Sequence, residues 1–125
     1  MQKATVLIVD DDESVRAVLS EMLECLGHVA VVTPDGAAAA RAAQVGAFDM
    51  VLIDVQMPVQ DGFQTLLMLR ELVPDTHCVM MSGGGNQALE AVCLQEGAVE
   101  CLRKPIGLET LQSLVDRLRG GHGAY

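Results

Sequence analysis

The sequence predicts an α/β domain, a parallel sheet covered by helices on both faces. Short apolar runs of strand length alternate five times with longer stretches whose apolar residues recur at helical spacing. Half of the 125 residues are hydrophobic, but Phe48, Phe63 and Tyr125 are the only aromatics. The core must therefore be built from Val, Leu, Ile, Ala and Met, which suits strands buried between helices. Glycine or proline follows most of the helical stretches, where such residues stop helices.

Thr5–Val9 is a continuous apolar run, as expected of a strand buried on both faces. After Asp10-Asp11-Asp12-Glu13, the residues Val15, Val18, Leu19, Met22, Leu23 and Leu26 form a helical stripe that Gly27 ends. Val29–Val32 is the second strand. Thr33-Pro34-Asp35-Gly36 turns the chain into an alanine-rich helix that stops near Gly46. Met50–Ile53 is the third strand. Met57-Pro58 and Asp61-Gly62 mark a loop, and a helix runs from about Phe63 to just before Pro74.

Cys78–Met81 is the fourth strand, and Ser82-Gly83-Gly84-Gly85 reads as a movable loop. Leu89, Val92 and Cys93 share the inner face of the next helix, which Gly97 closes, and Leu94 points away from it. Ala98–Leu102 is the fifth strand. The last helix turns Leu108, Leu111, Leu114, Val115 and Leu118 inward. Five β–α units with right-handed crossovers lead to a flavodoxin-like sheet of order 2-1-3-4-5. The length suits a single domain over residues 1–120, with 121–125 a flexible tail or linker stub.

Composition excludes several functions. The formal net charge is -9, and the eight basic residues are scattered, which argues against direct nucleic acid binding. No apolar stretch approaches the ~18–20 residues of a membrane span, and no secretory signal opens the chain, so a cytoplasmic location is the expectation. Cys25, Cys78, Cys93 and Cys101 occur singly among apolar neighbours and read as reduced, partly buried thiols. His28, His77 and His122 are far apart in sequence, none at the carboxyl end of a strand, and receive no role.

In open α/β sheets, sites form where strands end at their carboxyl edge. Asp10 and Asp11 follow the first strand, Asp54 the third, Ser82 the fourth and Lys104 the fifth. Several carboxylates gathered at one edge repel each other unless a cation joins them, and oxygen ligands suit Mg²⁺. Lys104 offers a compact positive charge to pair with Asp54 and later with a phosphoryl oxygen; the Ser82 hydroxyl can donate to another. The Asp54 carboxylate would be the nucleophile and an acyl phosphate the product. Asp12 and Glu13 read as the acidic start of the first helix, with Asp12 or Ser14 capping it.

These residues resemble bacterial response-regulator receiver domains, the family of the chemotaxis receiver protein. The carriers are Leu7 to Asp12, Asp49 to Pro58, Asp61-Gly62, Met81-Ser82-Gly83 and Arg103-Lys104-Pro105, in order and at receiver spacing across nearly the whole chain. The resemblance implies that Asp54 is phosphorylated and that Asp11 binds Mg²⁺ directly while Asp10 acts through water. It implies that the Gln56 backbone carbonyl binds the metal and that Ser82 and Lys104 are the switch hydroxyl and phosphate-pairing lysine. It also implies a cis bond before Pro105. The implied donor is a histidine kinase or histidine phosphotransfer protein, with an output partner that the sequence does not name. In one departure, Cys101 stands where receivers often carry an aromatic switch residue, so either Cys101 or the 83–85 loop would carry the change. Two other readings are a degenerate receiver acting as a binding module, which should lack Asp54 or Lys104, and an aspartyl-nucleophile phosphohydrolase. The second commonly needs an acid two positions past the nucleophile, where Gln56 stands. The reading as a signalling domain rather than an enzyme leaves phosphorylation-dependent homodimerisation open.

Overall fold

The computed structural model describes residues 3–57, 62–84 and 87–120. Its strands are β1 (Thr5–Val9), β2 (Val29–Thr33), β3 (Met50–Asp54), β4 (His77–Ser82) and β5 (Glu100–Arg103). Between and after them run α1 (Glu13–Cys25), α2 (Gly36–Val45), α3 (Gly62–Leu72), α4 (Gln87–Gln95) and α5 (Leu108–Gly120). All strand pairs are parallel and the order is β2-β1-β3-β4-β5, the expected topology. Within the described residues, no helix is long and apolar enough to cross a membrane.

Strand alternation sorts the apolar residues into two layers. Val6, Ile8, Met50, Leu52, Val79 and Met81 face Leu19 and Leu23 of α1 and Leu111, Leu114 and Val115 of α5. Leu7, Val9, Val51, Ile53, Cys78 and Met80 face Ala39 and Ala43 of α2, Leu66 and Leu69 of α3 and Cys93 of α4. All five residues of β3 are buried because neighbours flank the strand on both sides and layers cover both faces. Small alanines on α2 allow that helix to lie close to the sheet, while β2, at the edge, leaves Val29 and Val32 exposed.

Helix ends follow local chemistry. The Asp12 side chain caps α1 by accepting from the Ser14 and Val15 amides, and Asp35 caps α2 by accepting from the Ala38 amide. Gly27 and Gly97 adopt φ of +89° and +108°, the left-handed region where a helix is turned off at low cost by glycine.

The apolar stripes overreach in three places. Val18, Val92 and Leu108 were expected inward, but they are 52%, 39% and 42% exposed. Each lies on the flank of a helix that touches the sheet along a face narrower than its apolar arc. β5 starts two residues later than expected, because Gly97 and Ala98 complete the end of α4: the Ala98 amide donates to the Cys93 carbonyl at 3.1 Å. Cys25 is exposed rather than partly buried, since it ends α1 on the side away from the sheet. Pro58, Asp61, Gly85 and the 121–125 tail, all part of the expectations above, lie outside the described residues.

Candidate functional site

The carboxyl ends of β1 and β3 deliver the acidic residues. As β1 ends, the Asp10 amide donates to the Thr33 carbonyl of β2 at 3.1 Å, which holds the turn at the sheet edge. Asp10 Oδ1 then accepts from the Asp12 amide at 2.9 Å, winding residues 10–12 so that α1 can start. Asp12 Oδ1 accepts from the Ser14 hydroxyl at 2.6 Å and from its amide at 2.9 Å. Those bonds hold the Asp12 carboxyl below the usual carboxylate range and assign it to capping rather than to the site. Asp10 is fully buried and Asp11 is exposed.

Asp54 ends β3 and is only 5% exposed. One of its oxygens, Oδ1, accepts from the Gln56 amide at 3.2 Å. Carboxylate oxygens of Asp10, Asp11 and Asp54 lie within 4.8 Å of one another. Lys104 reaches over them from the end of β5: its Nζ is 2.7 Å from Asp10 Oδ2 and 3.3 Å from Asp54 Oδ1. The lysine was expected to pair with Asp54, and it does, but its shorter contact is with Asp10. The Asp10 oxygen that Lys104 meets is itself buried, so this ion pair is shielded from solvent on the carboxylate side.

The electrostatics follow from this crowding. Burial pushes the Asp54 carboxyl up to about 6, the Asp10 charge adds to the rise, and Lys104 and the Gln56 amide oppose it. For Lys104, burial alone would lower the ammonium's pKa, but Asp10 and Asp54 together raise it, so the lysine stays charged. Three carboxylates facing one ammonium leave an excess of negative charge at this edge. A hard divalent cation with oxygen ligands offsets that excess. The residues present therefore fit a metal ion held by carboxylates at this edge.

Ser82 ends β4 at the same edge, 1% exposed, with its hydroxyl donating to the Gly84 carbonyl at 3.3 Å. The Lys104 amide donates to the Ser82 carbonyl at 2.7 Å, tying the lysine's backbone to β4. The Lys104–Pro105 peptide is cis, as the resemblance implied. The Gln56 side chain is exposed, while its amide serves Asp54. Cys101 lies on β5 away from the carboxylates, with its sulfur 3.5 Å from that of Cys93.

Two supporting residues were not singled out for these roles from sequence. Arg16 Nη1 donates to the Asp10 carbonyl at 2.8 Å, a contact that becomes visible only once α1 folds back over the turn. By sequence Gly62 belongs to a loop, but in the structure it starts α3 directly against the site. Its amide donates to the Val55 carbonyl at 3.0 Å, and a Cβ there would overlap the Asp54 carbonyl oxygen and come within 2.7 Å of Val55 Cα. The Asp-Gly pair was the available signal, but it does not reveal which backbone the glycine must approach.

Known proteins resemble this chain in sequence and in fold. The chain is 32% identical over 117 residues to the DNA-binding transcriptional regulator NtrC of Azospirillum brasilense, covering 94% of this chain and 24% of that protein. It is 36% identical over 116 residues to the response regulator protein FleR of Pseudomonas aeruginosa, covering 91% of this chain and 24% of FleR. The chain thus spans about a quarter of the length of these relatives. The chemotaxis protein CheY4 of Vibrio cholerae superposes with a TM-score of 0.86 at 31% identity, covering 94% of this chain and 99% of CheY4. Residues 6–116, which contain every candidate site residue, match the response regulator receiver domain, and the chain belongs to that family of two-component signalling domains.

Proposed function

We propose that this receiver accepts a phosphoryl group on Asp54, in the presence of Mg²⁺, from a phosphohistidine on a histidine kinase or histidine phosphotransfer protein. The observation that carries this reading is the buried Asp54 carboxylate, 3.3 Å from Lys104 Nζ and clustered with Asp10 and Asp11. A carboxyl that ionises near pH 6 is an anion at neutral pH, with few water contacts to shed before attack. An Asp54 oxygen attacks phosphorus, the P–N bond breaks, and the imidazole leaves as the acyl phosphate forms. Lys104 can then follow the new negative charge, and the Ser82 hydroxyl can exchange Gly84 for a phosphoryl oxygen.

Asp11 and Asp54, with the Gln56 backbone carbonyl, would hold Mg²⁺ directly, and Asp10 through water. The ion supplies neutralisation of charge on the transferring group. An apolar groove of about 400 Å³, lined by Val15, Val18, Leu19, Met22, Pro105 and Ile106, opens beside Lys104 and offers a protein donor a surface to rest on. The receiver unit is residues 1–120, with 121–125 a tail or linker. Its output runs through a partner protein or a further domain rather than through direct nucleic acid contact, in keeping with the net charge of -9. A phosphohistidine donor and free thiols suit the cytoplasm. Self-catalysed phosphotransfer, rather than turnover of a separate substrate, is the chemistry expected, and Asp54 and Lys104 together disfavour a degenerate binding module.

The test is incubation with a small acyl-phosphate donor and Mg²⁺, read by intact mass. One hydroxylamine-sensitive phosphoryl adduct is expected, absent after chelation of the metal and absent in Asp54→Asn. An unchanged adduct in Asp54→Asn would sink the assignment. Steady phosphate release from unrelated substrates would favour a phosphohydrolase.

A further inference from the structure

On the far side of β5, outside the carboxylate site, two free thiols face each other. Cys101 Sγ lies 3.5 Å from Cys93 Sγ, so β5 and α4 touch through sulfur. The contact is one rung of two. Cys101 and Arg103 stand two residues apart on β5 and share a strand face; Glu90 and Cys93 stand three apart on α4 and share a helix face. Arg103 Nε meets Glu90 Oε2 at 2.6 Å, which fixes the height of the helix against the strand and holds the sulfurs opposite each other. Cys93 is fully buried while Cys101 is partly exposed, so an oxidant meets Cys101 first.

We propose that Cys93 and Cys101 are an oxidisable dithiol that closes to a disulfide under peroxide and staples α4 to β5. Forming the bond requires the sulfurs to approach from 3.5 Å to about 2.05 Å, a movement within reach of side-chain rotation and a small helix shift. Cys101 gives up its thiol proton and its thiolate attacks a peroxide oxygen; the O–O bond breaks, a sulfenic acid forms, and the departing hydroxide takes up that proton as water. The Cys93 sulfur then attacks the Cys101 sulfur, the S–O bond breaks, and the Cys93 proton leaves with the hydroxide as a second water. Both cysteines are oxidised and peroxide is reduced. Burial, reinforced by Cys101, holds the Cys93 thiol up to about 12. Cys93 therefore suits the resolving role rather than first attack. A stapled β5 is held to α4 immediately before Lys104, so the dithiol lies one residue pair away from the site without belonging to it.

The experiment treats the whole chain, carrying Cys25→Ser to remove the exposed thiol, with hydrogen peroxide, followed by mass analysis without reductant. The expected result is a monomer lighter by two hydrogens, with a peptide joining Cys93 to Cys101, reversed by dithiothreitol. Amide hydrogen exchange across α4 should slow about tenfold in the oxidised form. Cys101→Ser should lose the cross-link while its circular dichroism stays native; Cys93→Ala should instead leave Cys101 as a trappable sulfenic acid. Oxygen addition at Cys101 in the Cys25→Ser chain without a cross-link would overturn the proposal. So would a disulfide-linked dimer in place of the internal bond, or a cross-link that leaves α4 exchange unchanged. The mass and peptide result on the chain with both cysteines intact decides the matter even if the Cys93 variant fails to fold.

Discussion

At the scale of single residues, Asp54 carries the electrostatic cost of the site. Its folded-state pKa of about 6 lies above the ordinary value of 3.8, so the folded protein holds this proton more tightly than the unfolded chain. The stability that this contributes is fully present below about pH 4 and is lost as pH rises through about 6. Without divalent cations, Asp54→Asn should therefore stabilise the protein at pH 7.5 by on the order of 2–3 kcal/mol, with the gain vanishing near pH 4. Urea unfolding at stepped pH measures it; equal midpoints at pH 7.5 would mean that burial and Asp10 do not strain this carboxylate. Adding Mg²⁺ should raise the wild-type melting temperature and leave Asp54→Asn nearly unmoved. Asp10, Asp54 and Lys104 were legible because each stands at or just past the carboxyl end of a strand and is of a characteristic residue type. That Lys104 sits closer to Asp10 than to Asp54 was not, since sub-ångström preference depends on how β1 and β3 are staggered.

At the scale of elements, the glycines separate into those that touch something and those that do not. Gly62→Ala would push a methyl into the backbone of Asp54 and Val55, so α3 must shift or β3 must bend. A loss of about 1–3 kcal/mol is expected, together with slower Asp54 labelling because the carboxylate moves with its carbonyl. Gly83→Ala is the control: among the described residues nothing lies within 4 Å of its added Cβ, and the melting temperature should stay put. Equal melting curves for the two variants would contradict the close approach of α3. Helix and strand order was readable from period and punctuation, including the glycine stops at 27 and 97. The exposed Val18, Val92 and Leu108 were not, because a periodic stripe tells which side a helix buries but not how wide the contact is.

At the scale of the molecule, the sheet divides the core into two layers that only β1, β3 and β4 serve in depth. Leu52, central in β3 and fully buried, should cost about 2–5 kcal/mol when cut to Ala, because flanking strands leave little room for collapse. Val29→Ala, on the exposed flank of edge strand β2, should change stability by about 0.5 kcal/mol or less. Denaturant midpoints compare the two directly; similar losses would argue against a core concentrated at the central strand.

Order of elements, strand composition and the residue types at each strand end are properties of the chain, and they determined the α/β class, the 2-1-3-4-5 sheet and the residues that could meet at its edge. They act locally or through a few chirality rules, so they can be read along the chain itself. Which oxygen Lys104 holds, why Gly62 must lack a side chain, and that Cys101 meets Cys93 were decided by tertiary structure alone. Each depends on the separation of groups brought together from distant parts of the chain, and that separation is set by the packing of both layers at once.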